Sequence, residues 1–135
     1  FYNIIYMSNI SIEFPQIQVL YHTNIRNVAL FTSVSLGLLG YSRYYREKKS
    51  QIYNISFIII SLSFLLMSIL LSFYLISDHS KYINILKKSK KYTKQEILLL
   101  EKWYIIPKIA LAINSIIAGF GIYTLIRQFE IRKLI

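Results

Sequence analysis

Three apolar stretches separated by charged segments dominate the chain. Between Ile52 and Ser77 no charged residue occurs, and Ile, Leu, Phe and Ser fill the run. A helix rises about 1.5 Å per residue, so about 20 residues cross roughly 30 Å of hydrocarbon, and this run exceeds that length. It predicts a tilted transmembrane helix. A second run, Trp103 to Ile126, holds Lys108 as its single charge and is bracketed by Trp103, Tyr104 and Tyr123 in the manner of interfacial aromatics. Pro107 falls in its first turn or so, where a missing N–H costs least. The third run, Asn27 to Ser42 between Arg26 and Arg43, is shorter. Arginine side chains snorkel, so a helix from about Asn24 to Tyr45 still crosses with its guanidinium groups at opposite interfaces. The competing reading is an amphipathic helix lying on the surface; Val28 to Gly40 offers it no charged face.

The expected architecture is therefore all-α: an integral membrane protein of three transmembrane helices, with residues 1–23 as an N-terminal arm, 24–127 as the membrane domain and 128–135 as a C-terminal tail. The second loop, Asp78 to Lys102, contains the basic knot Lys87, Lys88, Ser89, Lys90, Lys91. After it, Thr93-Lys94-Gln95-Glu96 matches a capping box, in which Thr93 accepts from the Glu96 N–H while the Glu96 carboxylate reaches back to the Thr93 N–H. A short amphipathic helix from about Lys94 is expected, running into the last span with a bend or break near Pro107. Phe1 to Leu20 lacks the basic segment and apolar run of a cleavable secretory signal. Met7-Ser8-Asn9 reads as a start, with residues 1–6 either upstream translation or the result of processing.

Composition strengthens the membrane reading. Of 135 residues, 55% are hydrophobic and 16% charged, where soluble domains carry about 25% charged residues; the mean hydropathy is +0.45. The net charge of +10 would suggest nucleic acid on a soluble protein. Here the basic residues flank apolar runs, which points to anionic membrane lipids and leaves no nucleic-acid partner expected. Lys and Arg divide almost evenly between the two sides of a three-span topology, so orientation is not assigned. There is no cysteine, which removes disulfides and thiolate chemistry.

Helices in lipid associate through small residues and hydrogen bonds. Asn54, Ser61, Ser68 and Ser72 form one stripe of the Ile52–Ser77 helix and are expected to face protein. Ser33, Gly37 and Gly40 in the first span, and Ala110, Asn114 and Ala118 with Ser115 and Gly119 in the last, are small-residue pairs expected to pack, either within the bundle or against other subunits or copies of the chain. Arg26, Lys102 and Lys108 fall at one membrane face, and Arg43, Arg46 and Arg127 at the other. As single residues they are interfacial anchors contacting lipid headgroups; as rings contributed by several copies they would draw polyanions into a pore. The knot Lys87, Lys88, Lys90 and Lys91 reads equally as a contact for anionic lipid or an acidic partner and as a solvated turn that keeps the loop out of the bilayer. The acids Glu13, Glu47, Asp78, Glu96, Glu101 and Glu130 are scattered, His22 stands alone, and His79 beside Asp78 reads as an exposed loop pair. No catalytic, cofactor or metal site is expected, and the chain is not read as an enzyme.

The segment Asn24-Ile25-Arg26-Asn27-Val28-Ala29-Leu30-Phe31-Thr32-Ser33-Val34-Ser35-Leu36-Gly37-Leu38-Leu39-Gly40 resembles the first helix of a small three-helix membrane domain family, which includes the membrane domain of the vacuolar transporter chaperone complex. The family helix opens Asn-Glu-Arg-Thr and ends Ser-Leu-Ala-Leu-Ile-Gly; Asn24, Arg26, Ser35, Leu36, Leu38 and Gly40 match. The resemblance implies three helices and, in that complex, a polyanion-translocating pore lined by basic residues, which Arg26 and Lys108 would echo. Ile25 replaces the acid of the pattern and Ser33 its second arginine. The expected role is a non-enzymatic integral membrane subunit that anchors a larger assembly, with an oligomeric anion or polyphosphate conduit as the alternative. The Ile, Asn, Lys and Tyr bias suggests an AT-rich genome, which leaves an organellar inner membrane and a viral internal membrane open.

Overall fold

In the computed structural model, residues 14–47 and 50–134 are described, and they are almost wholly helical. Helix α1 is Phe14–Glu47, α2 Gln51–Ser89, α3 Lys94–Trp103 and α4 Ile105–Lys133. The connection from α1 to α2 is too short for anything but an antiparallel hairpin, and it is closed by Ser50 N–H donating to Tyr45 O at 3.1 Å. At the far end of α2, Lys90 adopts the left-handed conformation (φ 52°) that ends a helix. Thr93 then opens α3 with the reciprocal capping box: its N–H donates to Glu96 Oε2 at 2.9 Å, and its hydroxyl accepts from the Glu96 N–H at 3.4 Å.

The helices are longer than the apolar runs. Residues 14–23, expected as part of an arm, form the start of α1; α2 continues past Ser77 through half of the expected loop; and α4 carries on through most of the expected tail to Lys133. Residues 1–13, with the Met7 start, lie outside the described residues. The extensions of α1 and α2 have a physical cause, since they build a second core. Ile17, Ile83, Leu86 and Leu100 pack together, with Tyr82, Tyr92 and Trp103 against them, at the end where α1 begins and α2 finishes. Charged residues surround this cluster, as around any water-facing core.

Along the rest of the bundle α2 is central. Its buried positions Asn54, Ile58, Ser61, Leu65, Ser68, Ser72, Leu75 and His79 alternate at spacings of four and three, the pattern of coiled-coil packing. The facing positions recur every seventh residue: Tyr21, Val28, Ser35 and Ser42 on α1, and Leu100, Pro107, Asn114, Gly121 and Gln128 along α3 and α4. The seven-residue register of α4 thus passes through the break at Tyr104. Gly121 sits on this seam close to α2: a Cβ there would lie 2.8 Å from Leu62 Cδ2, so that side chain would have to move for any larger residue.

Two helical stretches, Gln51–Ser89 and Lys94–Lys133, are long and apolar enough to cross a membrane, with mean hydropathies of 2.5 and 2.0 over their most apolar windows. Just 33% and 11% of those windows is buried, whereas the core helix of a soluble protein would be mostly covered. The third long helix, α1, has no window that apolar. Large apolar side chains such as Leu30, Leu66, Phe73, Ile116 and Phe120 point outward, while hydroxyls and amides share the seam they surround with Val28, Ile58 and Leu65.

Candidate functional site

The polar seam consists of separate hydrogen-bonded nodes. In the first, Ser35 and Ser61 bring α1 and α2 together: each hydroxyl reaches the backbone carbonyl of the other, at 3.0 Å and 2.9 Å, and the two oxygens are 2.6 Å apart. Both residues are fully buried. Serine is small enough to allow this approach and polar enough to bond across it.

The second node joins three helices. Thr32 Oγ1 of α1 donates to Asn114 Oδ1 of α4 at 3.0 Å, Asn114 Nδ2 donates to Ser68 Oγ of α2 at 2.8 Å, and Ser68 Oγ donates to Val28 O of α1 at 3.1 Å. Thr32 also has Val28 O at 2.8 Å as an alternative acceptor. Each hydroxyl proton and each amide group in this circuit has a partner, as buried polar groups require. Among the described residues, the bond from Thr32 to Asn114 is the one that links α1 directly to α4.

The third node sits where α3 breaks into α4. Pro107 has no N–H, so the carbonyl of Trp103, four residues earlier, loses its helical donor. Tyr21 of α1 supplies one, its phenol donating to Trp103 O at 3.0 Å. The Tyr104 N–H turns to Glu101 O and Lys102 O, which strands Leu100 O as well. His79 of α2 meets it, Nε2 donating at 2.7 Å. The His79 ring stacks on Tyr104 at 5.7 Å, and Tyr21 stacks on Trp103 at 5.6 Å. Two carbonyls released by one proline are thus capped by side chains from the other two helices. Burial pushes the Tyr21 phenol above its ordinary range. His79, expected as an exposed loop residue, is instead 2% exposed in the interior of α2.

The remaining sequence candidates divide by position. Asn54, Ser61, Ser68 and Asn114 are buried and Ala118 is half-buried. Ser33, Gly37 and Gly40 do not pack within the bundle: Ser33 is exposed and bonds its own Ala29 O, and open space lies over both glycines. The reason is register, since the seam of α1 follows Val28, Ser35 and Ser42 and places the Ser33 to Gly37 face outward. Arg26, Lys102 and Lys108 are exposed at the end of the bundle that carries the third node. Lys108 Nζ lies 4.1 Å from the centre of the Tyr104 ring, a cation–π contact. In the basic knot Lys87 pairs with Glu101, tying α2 to α3, and Lys88, Lys90 and Lys91 are exposed. At the opposite end Arg43 and Arg46 line a cleft with Asn54, and Arg127 is exposed outside it.

Thr32, Ser35, Tyr21 and His79 had not been singled out as bonding residues. Their signal is the seven-residue recurrence of Tyr21, Val28, Ser35 and Ser42, which small-residue motifs do not capture. Among the described residues no group of three His, Asp or Glu side chains converges as a metal site. No known protein family, curated protein or solved structure matches the chain.

Proposed function

We propose that the chain is an integral membrane protein crossing the bilayer three times, with α1, α2 and α4 as its spans, and that it serves as a non-enzymatic subunit anchoring a larger assembly to the membrane. The observation that carries this reading is the reversal of polarity along one molecule. Over the middle of the bundle hydroxyls and amides alternate with Val28, Ile58 and Leu65 in the interior, and Leu, Ile and Phe dominate the exterior. Past His79 the interior becomes wholly apolar at Ile17, Ile83, Leu86 and Leu100, and lysine and glutamate join Leu98 and Leu99 on the exterior. A single solvent does not favour both arrangements; hydrocarbon around the first and water around the second do.

The two helices with strongly apolar windows carry most of the lipid contact. The less apolar α1 inserts as their partner, its Ser35 and Thr32 bonded within the bundle. The exposed apolar faces of α2 and α4 and the outward Ser33 to Gly37 face of α1 are surfaces for neighbouring subunits or lipid. Alkaline extraction of membranes expressing the chain, followed by separation of native assemblies in mild detergent, tests both parts. The protein should stay with the pellet and migrate with partner chains. Release at high pH would sink the membrane assignment, and migration as a lone monomer would sink the anchoring role.

A polyanion conduit is favoured by a narrower observation, the exposure of Arg26, Lys102 and Lys108 at one end. It requires several copies to converge on an axis. Anion flux in liposomes that is lost in Arg26→Ala and Lys108→Ala would establish it against the anchoring role.

A further inference from the structure

One buried polar group in the seam stands apart from the nodes. Asn54 is 1% exposed, and its Nδ2 has no hydrogen-bond acceptor among the described residues. A buried amide donor left without a partner costs about 1–3 kcal/mol, so the arrangement is stable only if something accepts from it. Asn54 lines a cleft of about 280 Å³ between the last turns of α1, the first turn of α2, and α4.

The other groups in that cleft specify the acceptor. Ser42 and Thr124 already donate their hydroxyl protons to Leu39 O and Phe120 O, at 2.7 and 2.8 Å, and so have no proton to share. The unpaired donors are Asn54 Nδ2 in the wall and the guanidinium groups of Arg43 and Arg46, neither of which forms an ion pair among the described residues. Two cationic groups beside an amide donor suit an anion rich in oxygen. Ser50 gives α2 no side-chain cap, so the positive end of the α2 dipole adds to the same field. Arg46 is shared with an adjoining cleft that carries Arg132 on its far wall, which extends the positive region outward.

Depth identifies where such an anion comes from. The cleft opens beside a band of aromatic side chains: Tyr45 contacts Tyr44, Tyr53 and Phe57, and Tyr41 also contacts Phe57. Tyrosines in such a band mark the headgroup layer. Below the arginines the wall becomes Leu39 and Phe120, apolar surface fit for an acyl chain. We infer that this cleft binds the phosphate headgroup of an anionic phospholipid, with Asn54 Nδ2 donating to a phosphoryl oxygen and Arg43 and Arg46 neutralising its charge. The inference rests on the membrane reading and adds a lipid-selective site to it.

Native mass spectrometry of the full chain in neutral detergent tests it, with phosphatidylglycerol and phosphatidylcholine of identical acyl chains as ligands. Wild type should prefer phosphatidylglycerol by roughly tenfold, and Asn54→Leu and the double variant Arg43→Gln, Arg46→Gln should each lose most of that preference. Arg127→Gln removes a positive charge outside the cleft at the same end of the bundle and should retain it. Should Asn54→Leu fail to fold, the surface arginine variant alone decides. Equal retention of both lipids by wild type would overturn the site, as would a preference that survives both cleft variants or falls equally in Arg127→Gln. Inorganic phosphate provides the other arm: saturable phosphate binding without lipid preference would assign the cleft to a soluble anion and overturn the headgroup reading. Detergent dependence of the same preparation reports separately on membrane insertion, so loss of the site and loss of the membrane reading give different results.

Discussion

The three-helix node makes an asymmetric prediction. Thr32→Val and Asn114→Leu are both near-isosteric and each removes the bond between Thr32 Oγ1 and Asn114 Oδ1, yet they leave different groups behind. After Asn114→Leu, Thr32 turns its proton to Val28 O at 2.8 Å and Ser68 keeps its bond to Val28 O. No buried group is stranded, and the loss is two interhelical bonds at about 0.6 kcal/mol each, or about 1 kcal/mol. After Thr32→Val, Asn114 Oδ1 is left without a donor in a dry interface, and that orphan costs about 2 kcal/mol. The double variant removes the orphan together with its cause, so it should cost about 1 kcal/mol, well below the sum of the singles. Reversible unfolding in mixed micelles, followed by helical circular dichroism and by emission of the single tryptophan, Trp103, reads all three values. Thr32→Val no more damaging than Asn114→Leu, or a double variant equal to the sum, would refute the hydrogen-bond circuit and with it the role of this node in holding α4 to α1.

The clamp at Pro107 should show a conditional effect. Tyr21→Phe is expected to cost about 1 kcal/mol in wild type and much less in Pro107→Ala, where a restored N–H at 107 bonds Trp103 O instead; unfolding of the four variants measures this. The same clamp sets a pH dependence. Because burial raises the Tyr21 phenol above its unfolded value, its contribution is fully present below the ordinary tyrosine range and is lost as pH rises through the raised value; an alkaline unfolding titration should show a component absent in Tyr21→Phe. At Gly121 a methyl meets the movable end of Leu62, so Gly121→Ala should be mild, whereas Gly121→Leu should separate α2 from α4 and lower the melting temperature sharply. Lys90 is left-handed at the end of α2, so Lys90→Gly should stabilise by up to about 1 kcal/mol in the same unfolding assay.

How far the chain could be read in advance depended on the range of each interaction. The capping box at Thr93 and Glu96 is local, its partners three residues apart, and it forms as the spacing requires. The α2 stripe from Asn54 to Ser72 is also a matter of spacing along one helix, and that face is the buried one. Helix ends do not coincide with the ends of the apolar runs, because Ile17, Ile83 and Leu86 continue the helices by packing against one another beneath charged residues. Small residues were misjudged on α1 for a related reason: a pair four apart fits any helix face, and nothing in Ser33 to Gly37 says which face meets α2. His79 and Tyr21 were invisible as a pair, since each answers a vacancy made by Pro107 on a helix distant in sequence.

The distribution of polar bonds also accounts for how a weakly apolar α1 can hold its place. In the membrane arrangement proposed above, burying apolar surface would not drive helices together, so association would depend on close contact and hydrogen bonds. These are arranged at successive levels: Tyr21 and His79 at one end, Thr32, Ser68 and Asn114 next, then Ser35 with Ser61, and Asn54 at the other end. Sliding α1 along α2 by one turn would break the Ser35 and Ser61 exchange and the Thr32 bonds together, so the levels fix a single register. The last level is incomplete, since Asn54 Nδ2 has no acceptor among the described residues. A headgroup seated there would complete the register from outside, and the bundle would be most rigid where anionic lipid is present.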